Sequence, residues 1–140
     1  MPDFDRKLTG KGEEQATRAG EALARLGVSF AACYTSPRVR ALDTARLACG
    51  ALGLEPEEVQ GLGGGFDRDQ ALALLQRHDA DERVLLVGHE PDFSQAVFDF
   101  TGGRIDLKKG GVAAVKVEPG GGTLLILLRP RELAAMAAKR

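Results

Sequence analysis

Two short apolar runs, each followed at once by polar residues and then a proline, constrain the fold of this sequence most. The first run, Phe30 to Tyr34, ends at Thr35-Ser36-Pro37, and the second, Val84 to Val87, ends at Gly88-His89 before Pro91. The second run does not alternate apolar with polar residues, which is typical of a strand covered on both faces by helices. The pattern therefore predicts parallel strands with polar side chains at their carboxyl ends.

Helical signals between these runs predict a three-layer α/β/α sandwich with a mostly parallel central sheet. Apolar residues recur at helical spacing after Thr9 and after Pro37. Three more helices are expected: one that starts at Asp67 and runs through Leu75, one that Pro91 opens and that runs through Phe98, and an Ala-rich one at the end of the chain. Two last strands, Val112 to Val117 and Thr123 to Leu128, flank a Glu-Pro-Gly-Gly-Gly turn and predict an antiparallel C-terminal hairpin. No repeat or linker divides the chain, so residues 1–140 are expected to form one domain.

Charge and composition argue against several classes of partner. The 140 residues carry 19 Lys and Arg against 20 Asp and Glu, so the net charge of −1 attracts neither nucleic acid nor an acidic membrane surface. Trp is absent and aromatics make up 5%, which disfavours a base-stacking surface. We therefore expect no nucleic-acid partner, no membrane partner, no cofactor and no metal.

Cysteine usage and the N-terminal composition indicate a cytoplasmic protein. Cys33 and Cys49 lack metal-type spacing, and both are expected to be buried, reduced thiols. Residues 1–12 are polar and charged, unlike a signal peptide. No apolar run approaches the ~20 residues that cross a bilayer.

The polar residues at the two strand ends suit a phosphate group. Ser36 and Arg40 follow the first run, and His89 follows the second. In open α/β sheets the carboxyl ends of the strands and the N-termini of the next helices converge at one edge. Arginine offers a planar fork of donors there, and helix amides add more. The sequence therefore predicts an anion site built from local basic groups.

Three segments in this order resemble the histidine phosphatase superfamily, also called the phosphoglycerate-mutase-like fold, and within it the short SixA-type phosphohistidine phosphatases. The Ser-Pro-x-x-Arg-Ala-x-x-Thr-Ala pattern from Ser36 to Ala45 is the most specific part. The resemblance covers nearly the whole chain. Its segments are Asp3 to Gly12, Thr35 to Ala45, Val87 to Pro91 and, as in bacterial members, Leu107 to Ala113.

The resemblance implies a two-step phosphoryl transfer without a metal. In the family, a histidine of an Arg-His-Gly motif accepts the phosphoryl group, and water then releases phosphate. By resemblance, Arg40 and Arg6 would hold the phosphoryl oxygens, and His89 would be the second histidine of the pocket. Ser36 would lie close to the phosphate. The implied partner is a phosphorylated protein (a histidine-containing phosphotransfer domain) or a small phosphate ester.

The Arg-His-Gly strand of the family has no match in this sequence, because in the family it precedes the segment that matches Asp3 to Thr9. The second histidine of the chain, His78, follows a predicted helix and precedes Asp79 instead of glycine. We expect it to interact with the helix dipole at that C-terminus. Three explanations stay open: an N-terminally shortened form, a natural non-catalytic relative, and, third, either a mistaken family or an unusual substitute nucleophile.

Three functions follow: a phosphohistidine phosphatase, a phosphatase of small esters, and a non-catalytic phosphate-binding module.

The stretch between Thr44 and His89 is short, as in SixA-type members, and its acids are expected to be solvated surface charges. Asp3 could position water or protonate a leaving group. The pair Lys108-Lys109 is expected to form a solvated turn. The early acids of the short stretch are Glu55, Glu57, Glu58, Asp67 and Asp69.

Overall fold

The computed structural model describes residues 6–138, which contain five α-helices and five strands. The helices are α1 (Gly10–Arg25), α2 (Val39–Leu52), α3 (Arg68–Leu75), α4 (Asp92–Thr101) and α5 (Pro130–Ala138). The strands are β1 (Ala32–Thr35), β2 (Pro56–Glu58), β3 (Val84–Val87), β4 (Val112–Glu118) and β5 (Gly121–Leu128). The sequence predicted every one of these elements except β2.

The strands form two separate sheets. One is parallel with the order β2-β1-β3, and the other is the antiparallel β4-β5 hairpin. Thr35 at the end of β1 lies opposite Glu58 of β2 and Val87 of β3, so all three strands end at the same edge. Within residues 6–138, β3 pairs with β1 alone, and β4 pairs with β5 alone.

Alternate side chains of β1 pack on the two faces of the parallel sheet, which confirms the three-layer architecture. Cys33 is buried against Ala45 and Cys49 of α2. Tyr34 points to the other face, into a cluster that contains residues of α3 and α4 such as Leu74 and Phe100. Each face of the sheet is therefore covered by helices.

The four residues of β3 are less buried than their apolar character predicts. Val84, Leu85, Leu86 and Val87 are all half-buried, although helices cover both faces of the sheet. Because β3 has only β1 beside it among the described residues, one side of the strand lies open. Because no second strand lies beside β3 among the described residues, its side chains are half-buried instead of fully buried.

Side-chain caps fix the starts of two helices as the sequence predicted. The Thr9 hydroxyl accepts a hydrogen bond from the Gly12 amide at 3.1 Å, at the start of α1. The Asp67 carboxylate accepts one from the Gln70 amide at 2.9 Å, at the start of α3. Each satisfies an amide that has no partner inside the helix.

The two cysteines are free and buried, as expected. Burial raises the pKa of the Cys33 thiol far above its ordinary value, and burial also raises the pKa of Cys49. Both thiols therefore behave as small apolar groups of the core. None of the helices within residues 6–138 combines the length and the apolar character needed to cross a membrane.

Gly20 sets the distance between α1 and α2. A Cβ at this position would overlap the carbonyl oxygen of Ala48 and lie 2.7 Å from the Ala48 Cα. Both obstacles are backbone atoms, which cannot rotate away. The two helices therefore pack this closely only because residue 20 lacks a side chain.

We expect Gly20→Ala to lower the free energy of unfolding by about 1–3 kcal/mol, since the helices must separate to admit the methyl group. Gly50→Ala is the matched control, because Gly50 also lies in a helix and a Cβ there meets nothing within 4 Å. The control should instead stabilise the chain by roughly 0.5–1 kcal/mol. Urea unfolding of both variants checks this, and equal stabilities would contradict the close approach.

Candidate phosphate-binding site

The parallel pairing of β1 and β3 brings two predicted site residues together. The Ser36 amide donates to the Val87 carbonyl at 2.9 Å, which continues the pairing one residue beyond the strands. Two residues after Val87, the imidazole of His89 lies beside Ser36, with 2.8 Å between His89 Nε2 and Ser36 Oγ. The convergence expected at this sheet edge is thus present for Ser36 and His89.

Ser36 holds its position through contacts on several sides. Its side chain is fully buried, and its Oγ also accepts a hydrogen bond from the Arg38 amide at 3.1 Å. The neighbouring Thr35 is equally buried, and its hydroxyl is placed to donate to the Ser36 carbonyl at 3.2 Å. The buried hydroxyl of Ser36 therefore orients His89, and direct contact with phosphate stays a prediction.

The start of the helix that follows this turn carries two arginines. Arg38 is the N-cap residue of α2, and Arg40 lies half-buried in its first turn. The Arg40 carbonyl accepts a hydrogen bond from the Thr44 hydroxyl at 2.8 Å. With 14 residues, α2 presents amide donors and the positive end of its dipole at this edge. The local charge favours an anion.

A glycine-rich loop forms one wall of the site, and the sequence did not indicate this role. A Cβ on Gly63 would lie 3.2 Å from Cδ of Pro37, so the loop runs directly against the turn after β1. Arg38 Nε donates to the Gly63 carbonyl at 2.7 Å. Leu62 is fully buried and anchors the loop in the core. The one available signal was four glycines within residues 61–65, which permits a close backbone approach.

The turn after β3 is shaped by Gly88 and by the start of α4. A Cβ on Gly88 would lie 2.8 Å from Cζ of Phe93, so only glycine fits between β3 and that ring. The Glu90 carboxylate accepts a hydrogen bond from the Ser94 amide at 2.9 Å. The Asp92 carboxylate accepts one from the Phe66 amide at 3.2 Å, which ties α4 to the glycine-rich loop. These contacts hold His89 in place from both sides.

Arg6 is exposed and lies in an irregular stretch before the cap of α1. Its role at the site stays a prediction, and Asp3 lies outside the described residues.

His78 serves a structural purpose at the opposite end of β3. Its Nε2 lies 2.7 Å from the Tyr34 hydroxyl, and its Nδ1 lies 3.6 Å from the Glu82 carboxylate. Arg77 covers the Tyr34 ring at 5.6 Å. Its ring thus hydrogen-bonds a tyrosine of the core, and the expected interaction with the helix dipole stays a prediction. Because His78 precedes β3 whereas His89 follows it, His78 cannot serve the same site.

The acids of the segment between α2 and α3 stay at the surface. Glu57 pairs with Arg77 at 3.2 Å, and Asp67 caps α3. Glu55, Glu58 and Asp69 are exposed as well. Within the described part of the chain no group of His, Cys, Asp and Glu could hold a metal ion. The site thus consists of a histidine, arginines, backbone amides and a helix N-terminus.

Comparison with known proteins gives a family match and a fold match. The model of the histidine phosphatase superfamily (branch 1) matches residues 2–63. An uncharacterised protein of Picosynechococcus is 38% identical over 121 residues, spanning 81% of this chain and 73% of that protein.

Solved structures share the whole architecture. The protein histidine phosphatase SixA complexed with tungstate has a TM-score of 0.84 at 24% identity, covering 94% of this chain and 89% of that chain. The SixA protein from Agrobacterium tumefaciens has a TM-score of 0.78 at 20% identity, covering 93% of this chain and 87% of that chain. Phosphoserine phosphatase of Entamoeba histolytica in complex with 3-phosphoglyceric acid has 0.75 at 16% identity, covering 92% and 87%.

Proposed function

Because the chain belongs to the histidine phosphatase superfamily, we propose that it is a SixA-type phosphohistidine phosphatase that acts on a phosphorylated protein. The observation that carries the proposal is the 2.8 Å contact of Ser36 with His89 at the start of the arginine-bearing helix α2. A histidine held by a buried hydroxyl beside helix amides suits a transferring phosphoryl group, whose charge is best stabilised by fixed positive donors.

In the proposed reaction, a histidine nitrogen of the enzyme attacks the phosphorus atom of the substrate. The phosphorus–nitrogen bond of the substrate breaks as the new one forms, and the released imidazole nitrogen takes a proton from solvent. Water then attacks the phosphorus atom of the phosphoenzyme, the phosphorus–nitrogen bond to the enzyme histidine breaks, and inorganic phosphate leaves while a proton of the water returns to the imidazole. Arg40 and His89 hold the phosphoryl oxygens through both steps, and Arg6 is proposed to join them.

We propose that the nucleophilic histidine comes from a strand that precedes residue 1 in a longer form of the chain. The open side of β3 supports this, since a further strand there would cover Val84 to Val87. The separation of the hairpin β4-β5 from the parallel sheet supports it too, because one strand between β3 and the hairpin would join the two sheets. In the proposed longer form, the carboxyl end of this strand brings the nucleophile beside His89.

Surface placement of the acids favours phosphohistidine over a phosphate ester. An alkoxide leaving group needs a strong general acid, whereas the nitrogen of a phosphoramidate leaves more easily. Glu57 and Asp67 are exposed and engaged with Arg77 and with the start of α3. A site without a dedicated acid therefore suits a phosphorylated histidine, as on a histidine-containing phosphotransfer domain.

The second candidate is a phosphatase of small phosphate esters. The structural similarity to a phosphoserine phosphatase, with a TM-score of 0.75, favours it. Asp92, half-buried at the start of α4 and three residues after His89, gives this candidate a possible acid, whereas the adjacent Glu90 is exposed and accepts a hydrogen bond from the Ser94 amide. The two candidates differ in whether the enzyme protonates the leaving group.

The two candidates can be separated by measuring the turnover of two substrates. The enzyme used is the extended form, meaning the chain lengthened by the proposed upstream strand. We expect kcat/KM for a phosphorylated histidine-containing phosphotransfer domain to exceed that for p-nitrophenyl phosphate by about 100-fold or more, the contribution of a missing general acid. Asp92→Asn should leave both values nearly unchanged. Equal or faster hydrolysis of the ester, or its selective loss in Asp92→Asn, would reject the phosphoprotein in favour of the small ester.

A further inference from the structure

An open groove of about 570 Å³ lies between α1 and α5. Its walls carry five basic side chains and one acid, in a chain whose net charge is −1. Pro130 and Ala134 contribute apolar surface between the charges. The charged residues are Lys11, Glu14, Arg18, Lys108, Arg129 and Arg131.

The groove is built from packed elements. A Cβ on Gly110 would lie 3.0 Å from Oε1 of Gln15 and 3.4 Å from Cγ of Pro130, so the loop before β4 is wedged between α1 and α5. The first turns of both helices line the groove, where Lys11 and Arg131 lie. The positive ends of two helix dipoles therefore add to the basic side chains.

The ion pairs within and beside the groove leave an excess of positive charge. Glu14 pairs with Arg18 at 2.7 Å, and Asp106 pairs with Lys108 at 2.7 Å. Glu132 is shared by two arginines, Arg129 at 2.8 Å and Arg131 at 3.2 Å.

Five cations thus face three carboxylates, Glu14, Asp106 and Glu132. The hydrogen bonds from Arg129 lower the pKa of Glu132 to about 2, so its charge is constant at neutral pH. Exposed pairs of this kind contribute little to stability, so an acidic ligand can displace them at little cost.

We propose that this groove, which we call the α1–α5 groove, binds an acidic segment of a protein partner. This inference rests on the proposed function, because the partner is the phosphorylated protein substrate. None of the described residues that line the groove is aromatic and could stack on a base, which disfavours nucleic acid. Its cations stand on three separate elements with apolar surface between them, an arrangement that suits an extended peptide with spaced carboxylates. Lys108, expected in a solvated turn, becomes part of a binding surface.

Charge reversal at two helix starts tests the groove without loss of folding. The groove variant combines Lys11→Glu with Arg131→Glu, both in the first turn of a helix (α1 and α5), where negative charge stabilises the helix. The control variant combines Arg46→Glu with Arg83→Glu, which replace two exposed arginines outside the groove. The probe is a fluorescein-labelled peptide of alternating Glu and Gly, and fluorescence anisotropy reports its binding to residues 1–140.

We expect the groove variant to weaken peptide binding about tenfold or more, the control to leave it unchanged, and added salt to weaken it in the wild type. Equal loss in groove variant and control, or no binding by the wild type, would overturn the proposal. Tighter binding of a single-stranded DNA of equal charge would assign the groove to nucleic acid instead.

The peptide assay needs no turnover, so its outcome is separate from that of the proposed function. In the extended form, the groove variant should raise KM for the phosphoprotein while kcat and p-nitrophenyl phosphate hydrolysis stay unchanged. If phosphoprotein hydrolysis proceeds with an unaltered KM, the groove proposal fails and the phosphatase proposal stands.

Discussion

A form of the chain that carries one more strand upstream, ending in Arg-His-Gly, is expected to hydrolyse phosphohistidine on the order of 10⁴-fold faster than residues 1–140 alone. The physical reason is that the described site is proposed to bind and stabilise a phosphoryl group, whereas the attacking histidine is proposed to lie on the additional strand. Loss of a covalent nucleophile typically costs an enzyme several orders of magnitude in rate. Release of phosphate from a phosphorylated phosphotransfer domain measures the difference.

The same extension should stabilise the fold. A strand beside β3 would supply hydrogen-bond partners and bury Val84 to Val87, which are half-buried here. At roughly 1 kcal/mol for each hydrogen bond, urea unfolding should show a gain of about 3 kcal/mol or more. The control is the extended form with alanine in place of the Arg-His-Gly histidine, which should gain the stability and none of the turnover.

Two outcomes would contradict this prediction. Turnover by residues 1–140 equal to that of the extended form would locate the nucleophile within the present chain. If the extension adds neither stability nor activity, the upstream strand does not pair with the open side of β3. Reading the upstream DNA in frame identifies the natural extension to use.

The variants His89→Ala and Arg40→Ala are each expected to lower phosphohistidine turnover of the extended form by about 10³-fold. Each removes a donor that faces the charge of the transferring phosphoryl group, and such donors contribute this much in water-poor sites. Stability should fall little, since His89 and Arg40 are half-buried and contribute no large apolar surface to the core.

Matched controls exist for both variants. His78→Ala removes the other histidine of the chain, whose ring contacts Tyr34 and Glu82 instead of the site. Arg46→Ala removes an exposed arginine of the same helix as Arg40. Both controls should retain turnover, and His78→Ala should lower stability through the lost Tyr34 hydrogen bond. Full activity of His89→Ala or Arg40→Ala would reject the proposed site.

Local sequence signals predicted most of the fold because they report local physics. The apolar run Val84 to Val87 matches β3 residue for residue, and Thr9 and Asp67 cap the helices expected after them. The strand β2 escaped prediction because its three residues, Pro56 to Glu58, have no strand propensity of their own. It forms only by pairing with β1, a tertiary contact that no local pattern shows.

The site was predicted in part for the same reason. Parallel strand ends meet at one edge, so the contact of Ser36 with His89 followed from the topology. The bond from Arg38 to Gly63 did not, because it joins residues 25 apart through the fold of the glycine-rich loop. The half-burial of β3 was equally invisible, since it depends on which strand lies beside it.

Oxyanion binding to residues 1–140, followed at the His89 imidazole, tests the proposed phosphate site most directly. Tungstate is a suitable probe, because the SixA structure of the same fold was solved with it. In a nitrogen-15 NMR titration of the two histidines, we predict that tungstate shifts the His89 ring signals and leaves those of His78 in place, with loss of the effect in Arg40→Ala. A titration that moves His78, or neither ring, would contradict the site.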